Sequence, residues 1–234
     1  MQNNSENIRR FQRHDLVWLS AMAWSEIRAR QPENLSALLR TWQLSEWPLE
    51  VRRRDVDADE DRVCISITPP PSSQPLSKIA SCVRQVHILE HQSALALSSV
   101  VETAPECWRE QLRNLIRDAL QQQIKFRVYG SLAWQYLTGQ PYMSEQTAIE
   151  ILFIPRTTEQ LIAGMRLLTH HAKTMPLAGE MTFPSGHAVA WKEWTYFPGE
   201  TTPSDDIRVL VKHVEQVRVM SQRALLASLN DMTD

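Results

Sequence analysis

The first 129 residues contain no glycine; all six glycines of this 234-residue chain lie between Gly130 and Gly199. Glycine serves positive-φ turns and close backbone approach to a ligand, so its absence from the first half directs the search for a phosphate-cradling turn to the second. Cysteine is scarce as well. Cys64, Cys82 and Cys107 are odd in number, widely spaced and without a CxxC pair, which predicts neither a disulfide framework nor a structural zinc site and fits a reducing cytoplasm. No run of about 18 apolar residues occurs, and residues 1–15 are polar with no apolar leader core, so neither a membrane span nor export is predicted. Charge of one sign is lacking too. A formal net charge of -2 offers no broad field for nucleic acid or anionic lipid, so any anionic ligand must be held by a local site.

What is present reads as a globular chain: 43% hydrophobic and 22% charged residues, and enough length for two domains with a core each. Residues 15–30 and 34–47 place apolar side chains at helical spacing (Leu16, Leu19, Met22 and Ile27; Leu35, Leu38, Leu39 and Trp42), which predicts two amphipathic helices. Residues 49–53 and 62–68 are short and partly alternating, a hairpin-like pair across an acidic connection at 55–61. The proline-rich stretch 69–75 is a loop. Pro105 opens a helix to about Ile124, and the domain boundary is placed there, giving an N-terminal unit at 1–104 and a C-terminal unit at 105–234. Beyond it strands at 125–129, 148–154, 177–183, 187–191 and 207–212 alternate with helices at 131–137, 158–173 and 219–229. The predicted fold class is α+β: a mixed sheet with helices in the C-terminal half, plus a smaller α+β N-terminal domain.

A strand that ends in Tyr129-Gly130-Ser131 and runs into a helix presents backbone N–H groups and a hydroxyl at the helix N-terminus, which suits a phosphate. The same residues also make an ordinary strand-to-helix turn with Ser131 as cap. The surrounding string, Arg127-Val128-Tyr129-Gly130-Ser131-Leu132-Ala133-Trp134 onward to Pro141-Tyr142, resembles the holo-acyl-carrier-protein synthases of malonate decarboxylase, which are phosphoribosyl-dephospho-CoA transferases of nucleotidyltransferase type. Arg13-His14-Asp15-Leu16-Val17-Trp18-Leu19, Pro48-Leu49-Glu50-Val51-Arg52-Arg53, Phe183-Pro184-Ser185-Gly186-His187 through Trp194, and Val209-Leu210-Val211-Lys212 extend the resemblance in order along most of the chain.

The resemblance implies that a serine of the malonate decarboxylase acyl carrier protein attacks the α-phosphate of triphosphoribosyl-dephospho-CoA, that pyrophosphate leaves, and that carboxylates hold Mg²⁺. It implies an Asp-x-Asp on the strand after the Gly-Ser helix, where period two puts both carboxylates on one face. This chain departs there. Ala148 stands at the first acidic position and Glu150 at the second; downstream, Ala178 stands where an Asp is expected and Glu180 shares its face. The candidate metal ligands are therefore Glu150 and Glu180, with Glu145 as a further carboxylate, and Lys212 is the candidate charge neutraliser. Gly130, Ser131, Arg52 and Arg53 are the candidate substrate contacts, with Arg54, Lys78 and Arg84 as further cations. Two readings stay open: an enzyme with a weakened acidic set, or a catalytically impaired form that binds nucleotide or carrier protein.

Other features have a structural reading beside the functional one. His14 and Asp15 form an acid–base pair or open a helix with Asp15 as cap. Trp134, Trp191 and Trp194 stack an adenine or fill the core. His170-His171, adjacent rather than one turn apart, makes no metal face. A serine-hydrolase reading through Ser185 or Ser131 lacks a GxSxG elbow.

Overall fold

A computed structural model describes residues 11–72, 78–194 and 207–230. The first half builds β1 (Leu16–Leu19), α1 (Ala21–Arg30), α2 (Ser36–Leu44), β2 (Leu49–Val51), β3 (Arg62–Ile67), β4 (Ile79–Arg84) and β5 (Ile88–Gln92). Its five strands form an antiparallel sheet in the order β4-β3-β2-β1-β5. Residues 15–19 were expected to begin a helix, and the structure corrects this. Leu16 and Val17 pair with Glu50 and Leu49 on one side and with Gln92 and His91 on the other, so β1 is a central strand. The helix starts only after Ser20, whose hydroxyl accepts from the Ala23 N–H and satisfies an orphan donor of the first turn.

The second half builds β6 (Leu95–Ala96), α3 (Leu97–Val100), α4 (Glu106–Gln121), β7 (Arg127–Tyr129), α5 (Gly130–Thr138), β8 (Ile149–Phe153), α6 (Thr158–His171), β9 (Leu177–Thr182), β10 (Ala188–Ala190), β11 (Arg208–Lys212), β12 (Val217–Ser221) and α7 (Gln222–Asn230). Its strands form a seven-stranded sheet in chain order, antiparallel except for the parallel β8–β9 pair, which α6 crosses over to join. The α+β fold class is therefore the observed one, with both sheets and their helices segregated by halves. The changeover between sheets falls between Gln92 and Leu95, upstream of Pro105. The final helix, expected from residue 219, begins at Gln222, because residues 217–221 pair with β11 as a strand.

Two cores result. One joins α4, α6 and α7 to the face of the large sheet that carries Val128, Ile149, Ile151, Phe153, Leu177 and Val189. The other packs α1 and α2 on the small sheet, and into it the second half inserts Trp134 and Tyr142. The Trp134 ring meets Trp42 edge-on at 5.5 Å, and the Tyr142 hydroxyl donates to the Thr68 carbonyl at 2.7 Å. Trp134, Trp191 and Trp194 are all buried, so each takes the core reading.

The expectation of no disulfide is also corrected. The β3–β4 register sets Cys64 directly opposite Cys82, their Cα atoms 4.1 Å apart, and the two form a disulfide. An odd cysteine count hides such a pair because the pairing depends on strand register rather than sequence spacing. Cys107 is free and exposed. No helix among the described residues is long and apolar enough to cross a membrane.

Candidate active site

Period two places Ile149, Ile151 and Phe153 of β8 in the core, so Glu150 and Leu152 point from the opposite face of the sheet. The registers carry that face sideways: Tyr129 opposes Glu150, Glu150 opposes Ala178, Leu152 opposes Glu180, Ala190 opposes Glu180, and Ala188 opposes Lys212. The sequence candidates Glu150, Ala178, Glu180 and Lys212 thus share the polar face of one sheet, with exposed Ala148 just before β8.

What covers this face is the edge of the other half. Glu180, 3% exposed, lies between cations from both: Arg13 Nη1 at 2.9 Å, His14 Nε2 at 3.3 Å and Lys212 Nζ at 2.7 Å. His14 Nδ1 meets Glu50 Oε1 at 2.8 Å, so one imidazole bridges two buried glutamates, and its ring stacks on Tyr129 at 3.8 Å. Lys78 reaches the other oxygen of Glu50 at 3.2 Å.

The charges tune one another. Burial works against the His14 imidazolium, but the hydrogen bonds to Glu180 and Glu50 outweigh it and hold its pKa above the ordinary value. Burial likewise opposes ionisation of Glu50, yet His14 and Lys78 bring it down to about 2. Glu180 is held well below the usual carboxylate range by His14, Arg13 and Lys212 against the same burial. Glu150 goes the other way: burial and the nearby charge of Glu50 raise it. Its carboxylate lies over Gly130, and the nearby Ser131 N–H offsets part of that rise. The φ of Gly130, +66°, lies where glycine is unstrained, and a Cβ there would sit 1.6 Å from Glu150 Oε2 and push that carboxylate aside. The helix N-terminus predicted to seat a phosphate is occupied by this chain's own carboxylate.

Mg²⁺ asks for several oxygens converging on one point. The arrangement does not offer them: Glu180 is committed to three cations, Glu50 to two, and Glu145 is exposed in a loop. Among the described residues the only mutually close set of three Asp, Glu, His or Cys side chains is Asp55, Cys64 and Cys82, and its two sulfurs are bonded to each other. There Arg52 already grips Asp55 through two bonds of 2.5 Å. The positive charge in this seam comes from Arg13, His14 and Lys212.

A cavity of about 330 Å³ opens beside this network, lined by Arg13, Asp15, His91, Arg127, Glu180 and Lys212 among others. The predicted arginine contacts sit elsewhere. Arg52 and Arg54 line a neighbouring cavity of about 440 Å³ in which Arg52 pairs with Asp55 and Arg54 with Glu215, while Arg53 is exposed; Arg84 pairs with Asp61 at the surface. Ser185 meets His187 Nδ1 at 3.0 Å, but the other ring nitrogen faces Arg218 at 2.8 Å, so no hydrolase triad forms. His171 bonds Asp118, away from this face. Sequence reasoning missed Glu50 and His91; a buried Glu50 between Leu49 and Val51 was the one available signal, since a lone acid in an apolar strand needs a partner.

Profiles of the phosphoribosyl-dephospho-CoA transferase MdcG match the chain twice, the N-terminal domain over residues 12–94 and the C-terminal domain over 95–223. The chain belongs to the phosphoribosyl-dephospho-CoA transferase family. A phosphoribosyl-dephospho-CoA transferase of Xanthomonas campestris pv. campestris (strain 8004) is 32% identical over 217 residues, 91% of this chain and 95% of the relative. One of Bradyrhizobium diazoefficiens is 30% identical over 219 residues, 92% of each chain, and one of Xanthomonas euvesicatoria pv. vesicatoria is 30% identical over 217. No solved structure is significantly similar to the chain. The two profiles meet between residues 94 and 95, where the small sheet gives way to the large one, so the ion network and the cavity beside it draw residues from both family domains.

Proposed function

We propose that this transferase moves the phosphoribosyl-dephospho-CoA group from triphosphoribosyl-dephospho-CoA to a serine of the malonate decarboxylase acyl carrier protein, releasing pyrophosphate. The supporting observation is the seam cavity, where Arg13, Arg127 and Lys212 converge beside Glu180. A triphosphate transfer places negative charge on the equatorial oxygens of the attacked phosphorus and on the departing pyrophosphate. Fixed cations in a partly dry cleft stabilise both without reorganising. Glu180 keeps Arg13 and Lys212 aimed, and the ligand takes over part of their charge when it binds. The carrier-protein serine enters from the open side of the cavity.

The test is to incubate the protein with triphosphoribosyl-dephospho-CoA and unmodified carrier protein, then follow the carrier's intact mass and pyrophosphate together. One prosthetic group gained per pyrophosphate, and neither with the carrier's serine replaced by alanine, is the expected result. A donor consumed without gain of carrier mass sinks the proposal.

A second reading is favoured by the alanines. Ala148 and Ala178 stand where the resemblance reserves acidic residues, and Glu180 is tied to cations, so the chain binds nucleotide or carrier protein with impaired turnover. Restoring Ala148→Asp then raises pyrophosphate release strongly; equal and robust rates in both proteins reject it. A thermal-shift titration with dephospho-CoA, with and without Mg²⁺, tests the cation set that both readings share: stabilisation that requires the ion shows that protein cations alone do not hold the ligand.

A further inference from the structure

We infer that His91, held by Asp15, is the general base that takes the proton from the attacking serine hydroxyl. The inference rests on the transfer reaction proposed above. Such a reaction forms a bond from serine oxygen to phosphorus, breaks the bond from phosphorus to the pyrophosphate oxygen, and leaves the serine proton to be collected. Pyrophosphate departs with the bonding electron pair, and the proton needs an acceptor with a free lone pair lining the same cavity.

Two histidines line the seam cavity, and their surroundings separate them. His14 has both ring nitrogens committed to carboxylates, at 2.8 Å to Glu50 and 3.3 Å to Glu180. It has no lone pair to offer. His91 gives only Nε2, at 2.7 Å, to Asp15 Oδ2. Among the described residues nothing bonds its Nδ1. An imidazole that donates one N–H to an ionised carboxylate is fixed as the tautomer whose other nitrogen is a base, the division of labour of a histidine–aspartate pair in acyl-transfer enzymes.

Asp15 is built for that task. It is 5% exposed, and burial raises its pKa above the ordinary value, but the Gln12 N–H at 2.8 Å, the His91 bond and the charge of Arg127 all favour its ionised form. The β1–β5 register holds the pair: Val17 opposes His91 and Leu16 opposes Gln92, which brings the start of β1 beside the end of β5. The Phe11 ring, 4.9 Å from the imidazole at 59°, braces its other side. Asp15 is thus a positioning residue and His91 the group that touches the substrate.

The experiment measures carrier labelling by the full-length protein, its His91→Gln and Asp15→Asn forms, and His91→Ala with and without added imidazole. His91→Gln is expected to lose about 100-fold or more in kcat while dephospho-CoA still binds with an affinity within about threefold of the parent's. The charged and titratable groups that line the cavity with His91 are Asp15, Arg13, His14, Glu180, Arg127 and Lys212. A base that must be unprotonated gives the pH–rate profile an acid limb, and Glu180, held well below the usual carboxylate range, is not its source. That limb disappears in His91→Gln, and imidazole restores part of the turnover of His91→Ala; a merely structural role moves neither. Labelling by His91→Gln within about threefold of the parent, or an unchanged acid limb, overturns the dyad while leaving the transfer reaction in place. No labelling by the parent protein with competent donor and carrier overturns the reaction itself, and the base assignment with it.

Discussion

Replacing Glu180 with glutamine tests, by the sign of the result, whether this site is a strained acidic cluster or a satisfied ion network. Carboxylates gathered to hold a metal repel one another, and removing one then stabilises the empty protein. Here Glu180 is 3% exposed and meets Arg13, His14 and Lys212 at 2.9, 3.3 and 2.7 Å, so removing its charge strands cations in a poorly solvated seam. Breaking one partner out of a buried pair costs about 3–5 kcal/mol. Lys212 is 39% exposed at its side chain and recovers water, which puts the expectation at the lower end, about 3 kcal/mol. For a chain of this length that is a fall in Tm of about 6–12 °C, read by calorimetry at pH 7. Glu150→Gln is the internal control. Burial and Glu50 raise its acid, so its carboxylate is disfavoured in the folded state at neutral pH, and the amide is expected to raise Tm. A Glu180→Gln protein as stable as the parent, or more so, refutes the network reading whatever its activity.

Stability should fall at both ends of the pH scale for different reasons. Glu50, lowered from 4.5 to about 2, contributes stability that is complete above its unfolded value and is lost as pH falls through that interval; His14, raised above 6.5, contributes stability that is complete below that value and is lost as pH rises through its folded one. Denaturant midpoints across pH check this, and Glu50→Gln should flatten the acid side. Tyr142→Phe removes the hydroxyl that joins the halves at Thr68 and is expected to cost about 1 kcal/mol in urea unfolding; no change would show that the bond is replaced by water. A dithiol reductant should lower Tm, since the Cys64–Cys82 link closes a loop of 18 residues' separation and such a loop contributes about 3 kcal/mol in the chain-entropy account. Identical melts with and without reductant would show the thiols unlinked.

What could be read from the sequence is what local spacing determines. The alternation of Ile149, Glu150 and Ile151, and the glycine at 130, mark a strand face and a turn without knowledge of any partner, and the structure has the strand and helix at those residues. Leu16 and Leu19 are three apart and fit a helix as well as a strand; only pairing with β2 and with β5, far along the chain, decides for the strand. The same non-locality hid Glu50, His91 and the cysteine pair. Of these only Glu50 lies in a string that carries the resemblance, and each acquires its chemistry from a residue that the two-sheet arrangement or a strand register delivers.

That division has a physical consequence for the enzyme. The residues that grip Glu180 come from both sides of the seam: Arg13 and His14 from the first half, Lys212 from the second, with 167 residues separating Arg13 from its partner. Glu50 is paired with His14 and Lys78 inside the first half, but Glu180 has only Lys212 from its own half. Folding of the small sheet onto the large one therefore completes the cation set around Glu180 as it buries it. A substitution that loosens the Trp42–Trp134 contact, remote from any charge, should then lower transfer by misaligning Arg13 before it unfolds the protein. Trp134→Phe, with its activity compared with its Tm, distinguishes this coupling from simple loss of folded enzyme.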